Sequence, residues 1–314
     1  MCTSIAMRGN SLLFGRNMDI DYSFDECVII TPRSFPLSFK SSAALEKHYA
    51  FIGAGAVSDN FPLYAEGMNE NGLCAAALKF AGYAYYSDKK AEGKINLAPY
   101  EIIPYILGRC RNLSEAKTIL SEINIIDTPF SEGMPLSPLH FHIADNSGSL
   151  VLESTREKIN VYDNPANILT NNPLLPFHLL NIAQYKRLTN TFPNIEPKPF
   201  GLGFGAIGLP GDFSPASRFI KADFLLSHTS RRDIPTLFHI LEAVSIPSGA
   251  VLTPENKEHI TTYSCCMDAN DKTYYFKTYD NSRLNAVKLS SEVSAKEGLI
   301  VYNLKKENDI LFLN

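Results

Sequence analysis

The chain contains no tryptophan and no apolar run approaching the roughly 18–20 residues that a membrane-spanning helix needs. Nor does it carry an excess of charge of either sign: 29 Lys and Arg against 33 Asp and Glu leave a net charge of −4. That balance lacks the basic footprint of a nucleic-acid or anionic-membrane binder. Its six cysteines (Cys2, Cys27, Cys74, Cys110, Cys265 and Cys266) include no CxxC pair and no zinc-type spacing. A signal-peptide core is missing too, because the apolar patch Ser11–Phe14 is very short and ends at Arg16. The expectation is a cytoplasmic protein with reduced thiols, in which the cysteines other than Cys2 are buried structural residues.

What is present is the composition of a soluble globular protein, 45% hydrophobic and 20% charged over 314 residues, with 15 Tyr and 19 Phe supplying the aromatic bulk. Internal repeats, low-complexity tracts and linkers are absent, and Pro193, Pro197 and Pro199 mark a long loop inside one unit. Residues 1–314 therefore read as a single domain. Strand signals dominate both ends. A hairpin is expected over residues 1–20 with Arg8-Gly9-Asn10-Ser11 as its turn, and a short β-branched strand over Cys27–Thr31. Phe51–Val57 and Leu73–Phe80 read as strands around a turn at Asn69-Glu70-Asn71-Gly72. Further hairpins are expected at 139–153, around Asn146-Ser147-Gly148, and at 261–278, around Asp268-Ala269-Asn270-Asp271. Helical spacing appears at Ala116, Ile119, Leu120 and Ile123 behind Ser114 as N-cap, and at Leu237, Ile240, Leu241 and Val244 behind Asp233. A third helix starts at Pro215 and runs through Phe219, Ala222 and Leu226. Hairpins in groups with helices in separate stretches predict antiparallel sheets covered by helices, an α+β fold, rather than βαβ repeats.

Cys2 carries the most chemistry. Removal of Met1 would leave a thiol and a free α-amine on one carbon, and an α-amine titrates near pH ~8, low enough to act as a base at neutral pH. A nucleophile and its base in one residue suggest amide hydrolysis. Arg16 and Asp19 return beside Cys2 on the other arm of the hairpin. A guanidinium favours a thiolate and a carboxylate can hold an amine, although a solvated pair at a strand end fits the same residues. Asn171, in Thr170-Asn171-Asn172-Pro173, offers a side-chain amide as an oxyanion donor, or it is simply part of a turn. Arg218, on the first turn of the third helix, either anchors the site electrostatically or pairs on the surface.

Two patterns are set aside. Gly203-Phe204-Gly205-Ala206-Ile207-Gly208 matches GxGxxG, but Pro210 and Gly211 break any helix opening through it and no β-branched strand precedes Gly201. His140 and His142 share one face of a strand without a third ligand at metal spacing, so they read as half-buried histidines rather than a metal site, and neither metal nor cofactor is expected. No Cys/His protease context surrounds any of the histidines.

In order and over essentially the whole length, six segments resemble the choloylglycine hydrolase family, N-terminal-nucleophile hydrolases that include bile salt hydrolases and penicillin V acylases. They are Met1-Cys2-Thr3, Phe14-Gly15-Arg16-Asn17-Met18-Asp19, Met68-Asn69-Glu70-Asn71-Gly72-Leu73, Leu169-Thr170-Asn171-Asn172-Pro173, Gly208-Leu209-Pro210-Gly211-Asp212 leading to Ser217-Arg218-Phe219, and Tyr279-Asp280-Asn281. The resemblance implies an αββα four-layer sandwich of two antiparallel sheets between helical layers, often a homotetramer. It implies Cys2 as nucleophile after loss of Met1, its amine as general base, Asp19 holding that amine and Arg16 beside the thiol. Asn171 and the backbone N–H of Lys79 would bind the oxyanion, and Arg218 would complete the charged network. Bile salt hydrolases usually carry Asn where this chain has Lys79, and several penicillin acylases carry Tyr. Lys79 either attracts an anionic substrate group or crowds the pocket. Met18, Ala65, Phe130, Met134 and Leu139 are the implied pocket walls. The implied activity is cleavage of glycine- or taurine-conjugated bile salts. The alternatives are penicillin V, acyl-homoserine lactones, a bile-acid-binding relative without catalysis and, more distantly, a redox-sensing thiol.

Overall fold

The structure, a computed structural model, describes residues 1–197 and 203–314; Pro199 and Gly201 lie outside the described residues. The chain opens with the hairpin β1 (Cys2–Arg8) and β2 (Leu12–Ile20), followed by β3 (Cys27–Thr31). A meander comes next, β4 (Phe51–Ser58), β5 (Phe61–Asn69) and β6 (Cys74–Lys79), then the short β7 (Ile95–Leu97). Helices α1 (Ile102–Arg109) and α2 (Leu113–Glu122) lead to β8 (Ile123–Ile125), β9 (Leu139–Asp145), β10 (Gly148–Ser154), β11 (Ile159–Asp163) and β12 (Ile168–Leu169). The remainder is α3 (Leu175–Tyr185), α4 (Pro215–His228), α5 (Ile234–Ala243), β13 (Ile260–Asp268), β14 (Thr273–Thr278), β15 (Asn285–Lys288), α6 (Ser291–Ser294) and β16 (Ile300–Asn303).

Two antiparallel sheets carry the architecture. One has six strands in the order β12-β1-β2-β13-β14-β15 and the other eight in the order β11-β10-β9-β6-β5-β4-β3-β16. Strands β1, β2 and β6 bury side chains from both faces, as inner strands of a covered sheet must. One apolar cluster joins the inter-sheet face, with Phe14, Met18, Ile52 and Met68, to Phe219 of α4 and Leu237 and Leu241 of α5. A second fills the space between the eight-stranded sheet and α1 and α2, around Phe51, Ile106, Leu120 and Phe141. The layers are thus helix, sheet, sheet, helix.

Three departures from the sequence expectations have clear local causes, while helices α1, α3 and α6 and strands β7, β8, β11, β15 and β16 were not anticipated, Ile123 lying in β8 and not in a helix. Strand β5 was not anticipated: Asp59 and Asn60, both at positive φ (46° and 57°), make a two-residue hairpin turn that Pro62 disguises. Helix α2 is capped by Asn112, whose side chain accepts from the Glu115 N–H, and not by Ser114, which lies inside the first turn. His140 and His142 are fully buried rather than half-buried, because their strand faces the interior between the sheets. Helix α5 is capped by Asp233 and α4 begins at Pro215 behind Ser214. Residues 203–208 form a turn, not a helix.

Two β-bulges shape the region where the chain begins. In β5, Glu66 faces Ala54 while Tyr64 faces Gly55, so Ala65 has no partner and its carbonyl is released from the ladder. In β13, Thr261 faces Asp19 and Tyr263 faces Met18, leaving Thr262 over. Close approach at the first bulge demands glycine opposite, since a Cβ on Gly53 would lie 1.9 Å from the Glu66 carbonyl oxygen.

Candidate functional site

The β1–β2 register sets Cys2 opposite Met18 and Ser4 opposite Arg16, so Cys2 and Arg16 share the inter-sheet face. Arg16 Nη2 lies 2.7 Å from Cys2 Sγ and 3.4 Å from Met18 Sδ. Its other end is fixed: Nη1 donates to the carbonyls of Ala65 (3.2 Å) and Ala77 (3.0 Å) and to Glu66 Oε2 (3.1 Å). The bulge at Ala65 turns one of these carbonyls toward the guanidinium. Burial alone would pull the Arg16 pKa down, but the Cys2 sulfur and the Glu66 carboxylate more than offset it and the pKa is raised. Arg16 therefore stays charged in the interior.

Asp19 is fully buried. Its Oδ1 accepts from Thr261 Oγ1 at 2.6 Å, while Oδ2 has no hydrogen-bond partner and lies 3.9 Å from Arg218 Nη1. Arg218 enters on the first turn of α4, also fully buried, and donates through Nη1 to Thr3 Oγ1 (2.6 Å) and the Cys2 carbonyl, and through Nη2 to Asn171 Oδ1 (2.6 Å). Burial lowers its pKa, opposed by Asp19 and Cys2. The reading of Arg16 and Asp19 as a solvated pair at a strand end does not survive this burial, nor does that of Arg218 as a surface partner.

Asn171 follows β12, which pairs with β1 at Ser4 and Ile5. Its Oδ1 also accepts from the Cys2 N–H at 2.9 Å, and its Nδ2 donates to the Lys79 carbonyl at 2.8 Å. With both donors on Oδ1, the amide can face only one way, and one Nδ2 hydrogen remains for a ligand. The segment is held from behind: His178 Nε2 meets the Asn171 carbonyl at 2.9 Å, and His140 Nε2 meets the Thr170 carbonyl at 3.2 Å. Burial holds the His178 imidazole down to about 4, so it is neutral there.

Lys79 ends β6 with its side chain exposed. In the ladder with β9 the Phe80 N–H donates to Pro138, so alternation turns the N–H of Lys79 away from β9, and β5 pairs with β6 only as far as Ala76. The Lys79 N–H consequently points to the same side as its carbonyl, toward Asn171.

Part of this network borders a cavity of about 430 Å³, whose lining does not include Asn171 or Arg218. Cys2, Arg16, Asp19 and Lys79 line it, as do Met18, Ala65, Phe130, Met134 and Leu139. Leu63, Tyr100, Ile103, Leu136 and Phe141 complete an apolar far side, and Tyr22 and Phe24 flank the mouth. The combination of apolar walls with a few converging polar groups is that of a small-molecule pocket. Met1 also borders it, its α-amine 2.6 Å from the Asp19 carbonyl and 2.5 Å from His259 Nε2. Burial lowers the pKa of that amine, and burial together with the neighbouring amine lowers that of His259. Among the described residues no three of His, Cys, Asp and Glu converge as metal ligands, and no helix is long and apolar enough to cross a membrane.

Glu66, Thr261 and His259 gave no signal when the residues were read alone. The nearest signal for Glu66 is a lone carboxylate between Ala65 and Gly67 in an otherwise apolar strand. Thr261 and His259 reach Asp19 only through the sheet pairing of distant strands.

The two-sheet sandwich, with a cysteine on its first strand facing a closed network of two buried arginines, an aspartate and an amide, has the fold of the N-terminal-nucleophile hydrolases, which matched structures share. The model of the linear amide C–N hydrolases, choloylglycine hydrolase family, matches residues 2–302. The chain belongs to that family of amide-cleaving enzymes. It is 40% identical to the bile salt hydrolase/transferase of Lactiplantibacillus plantarum and 38% identical to that of Clostridium perfringens, in each case over 100% of both chains. The solved structure of a mutant conjugated bile acid hydrolase from Clostridium perfringens superimposes with a TM-score of 0.95 at 37% identity, covering 100% of both chains. Penicillin V acylase from Agrobacterium tumefaciens shares the fold, with a TM-score of 0.76 at 19% identity over 96% of this chain and 91% of the other.

Proposed function

We propose that the protein hydrolyses the amide bond of glycine- or taurine-conjugated bile salts through a thioester on Cys2, after removal of Met1. The observation that carries this reading is the contact of the Cys2 sulfur with Arg16 at 2.7 Å on the wall of an apolar cavity. In this scheme the thiolate attacks the amide carbonyl while the α-amine of Cys2 passes a proton to the leaving nitrogen, and water then cleaves the thioester. Asp19 Oδ2, buried and unpartnered while the Cys2 nitrogen is a peptide, is the acceptor that a free α-ammonium at that position requires. The remaining Nδ2 hydrogen of Asn171 and the N–H of Lys79 receive the oxyanion, and Arg218 holds Asn171 in place. Met18, Ala65, Phe130, Met134 and Leu139 would seat the steroid. Lys79, exposed at the rim, would meet the anionic glycine or taurine end. The names of the full-length relatives support the substrate class.

Residues 1–314 act as one domain in this reading, located in the cytoplasm, and the active form is a homotetramer without metal or cofactor. The test is amine release from glycocholate, taurocholate, penicillin V and an acyl-homoserine lactone, using protein whose loss of Met1 is verified by intact mass. Preference for the cholates supports the assignment. Preference for penicillin V or the lactone moves the protein to another acyl amide, and binding of cholates without release makes it a binding protein.

A further inference from the structure

Glu66 has no part in the scheme above, yet it is the only carboxylate that touches Arg16 among the described residues. It is fully buried on β5, across the sandwich from β2. Oε2 accepts from Arg16 Nη1 (3.1 Å) and Tyr263 OH (3.0 Å), and Oε1 accepts from Tyr274 OH (2.6 Å) with Cys265 Sγ at 3.7 Å. Tyr263 and Cys265 come from β13 and Tyr274 from β14, so one carboxylate gathers three strands of the six-stranded sheet around the guanidinium that faces Cys2.

We propose that Glu66 is a positioning residue for the hydrolysis: it clamps Arg16 against the Cys2 sulfur and balances the guanidinium's charge throughout the reaction. The need for it follows from the chemistry. A buried cation without a counter-charge is strongly disfavoured. The Cys2 sulfur balances Arg16 only while it is a thiolate; as a thioester it is neutral. Glu66 supplies a permanent counter-charge on the far end of the same guanidinium. The two tyrosine hydroxyls and the peptide carbonyls leave neither partner short of hydrogen bonds, and burial with the Glu66 charge raises the pKa of both tyrosines, so they remain donors. The proposal rests on the reading of Cys2 as nucleophile.

The test is the pH dependence of Cys2 alkylation by iodoacetamide, followed by peptide mass, in the wild type, Glu66→Gln and Tyr274→Phe. Asp19 on β2, Arg218 on α4 and Lys79 on β6 also face this region, with His259 and Tyr22 on the cavity wall, and both substitutions leave them in place. Removing a negative charge roughly 7 Å from a sulfur moves its titration down by somewhat under two units at an effective dielectric near 20. Glu66→Gln should therefore lower the alkylation midpoint by about 1.7 units. It should also cut the plateau rate by about sixfold, since a less basic thiolate is a poorer nucleophile. Tyr274→Phe withdraws a hydrogen bond from the carboxylate, concentrates its charge on Arg16, and should move the midpoint the opposite way. Amide turnover in Glu66→Gln should fall in kcat with little change in KM.

A residue that merely ties the sheets together would change stability and leave the midpoints alone. An unchanged midpoint in Glu66→Gln, or shifts of the same sign in both variants, overturns the proposal. If Glu66→Gln does not fold, Tyr274→Phe decides alone, and no upward shift overturns it. Failure of the nucleophile reading is separable: wild-type protein fully alkylated at Cys2 would still release amine.

Discussion

Replacing Asn171 by alanine separates a role in catalysis from a role in holding the chain terminus. The side chain makes one acceptor contact to Arg218 (2.6 Å), one to the Cys2 nitrogen (2.9 Å), and donates to the Lys79 carbonyl (2.8 Å). Leaving buried donors unpaired costs about 1–3 kcal/mol each, so two such losses amount to about 2–4 kcal/mol after partial relaxation. With an unfolding entropy near 2.1 cal/mol/K per residue over 314 residues, that corresponds to a fall in Tm of about 3–6 °C. The catalytic effect is a distinct quantity. Loss of one oxyanion donor lowers kcat by about 10²–10³, and KM should change by less than about threefold, because the oxyanion exists only in the transition state. Steady-state amine release, alongside a thermal melt, reads both numbers. A variant that loses the expected few degrees while keeping kcat within about threefold of wild type would remove Asn171 from the chemistry and leave it a structural clamp.

Protein from which Met1 has not been removed should release amine only at background, since the Cys2 nitrogen is then a peptide; intact mass and activity on the separated forms check this. Lys79→Asn should lower turnover of conjugated cholate by up to about fivefold, the weight of a solvent-exposed charge, and unchanged turnover would exclude Lys79 from binding the anionic end. Burial holds the His142 imidazole down to about 3, with Arg8 and His140 acting in the same direction. The unfolded chain takes up that proton near pH 6.5, so this contribution to stability is complete above pH 6.5 and declines as pH falls toward 3. The decline reaches about 3 kcal/mol at pH 4.5. Urea midpoints at pH 7 and 4.5 should therefore differ less in His142→Gln than in the wild type, and equal differences would contradict the assignment.

The sequence made the sheet edges and hairpins legible wherever turn chemistry and alternation coincided, as at residues 8–11, 146–148 and 268–271. It hid β5, because a proline near the start of a strand and an Asp-Asn turn without glycine weaken both signals at once. It misplaced the α2 cap, since Asn112 and Ser114 are both good capping residues and only the backbone conformation separates them: Asn112 is extended (φ −151°, ψ 176°) while Ser114 is helical. Within the site, Cys2, Arg16 and Asp19 lie on one hairpin, so their proximity could be read from local pairing. The contacts of Asn171, Lys79 and Arg218 with them arise from strands and helices far apart in sequence: the residues alone left Asn171 and Arg218 with a structural alternative each, and Lys79 entered only through the family resemblance. Glu66 illustrates what neither route supplied: a carboxylate whose meaning depends on a guanidinium 50 residues away, across the sandwich.

The measurement that bears most directly on the central claim is the mass of the N-terminal peptide after mixing Met1-free protein with glycocholate and quenching in acid. A cysteine nucleophile predicts a choloyl group in thioester linkage on Cys2, formed as glycine is released, and neither product in Cys2→Ser. Glycine release at the wild-type rate from Cys2→Ser, or release from the wild type without any acyl group ever appearing on Cys2, would contradict it.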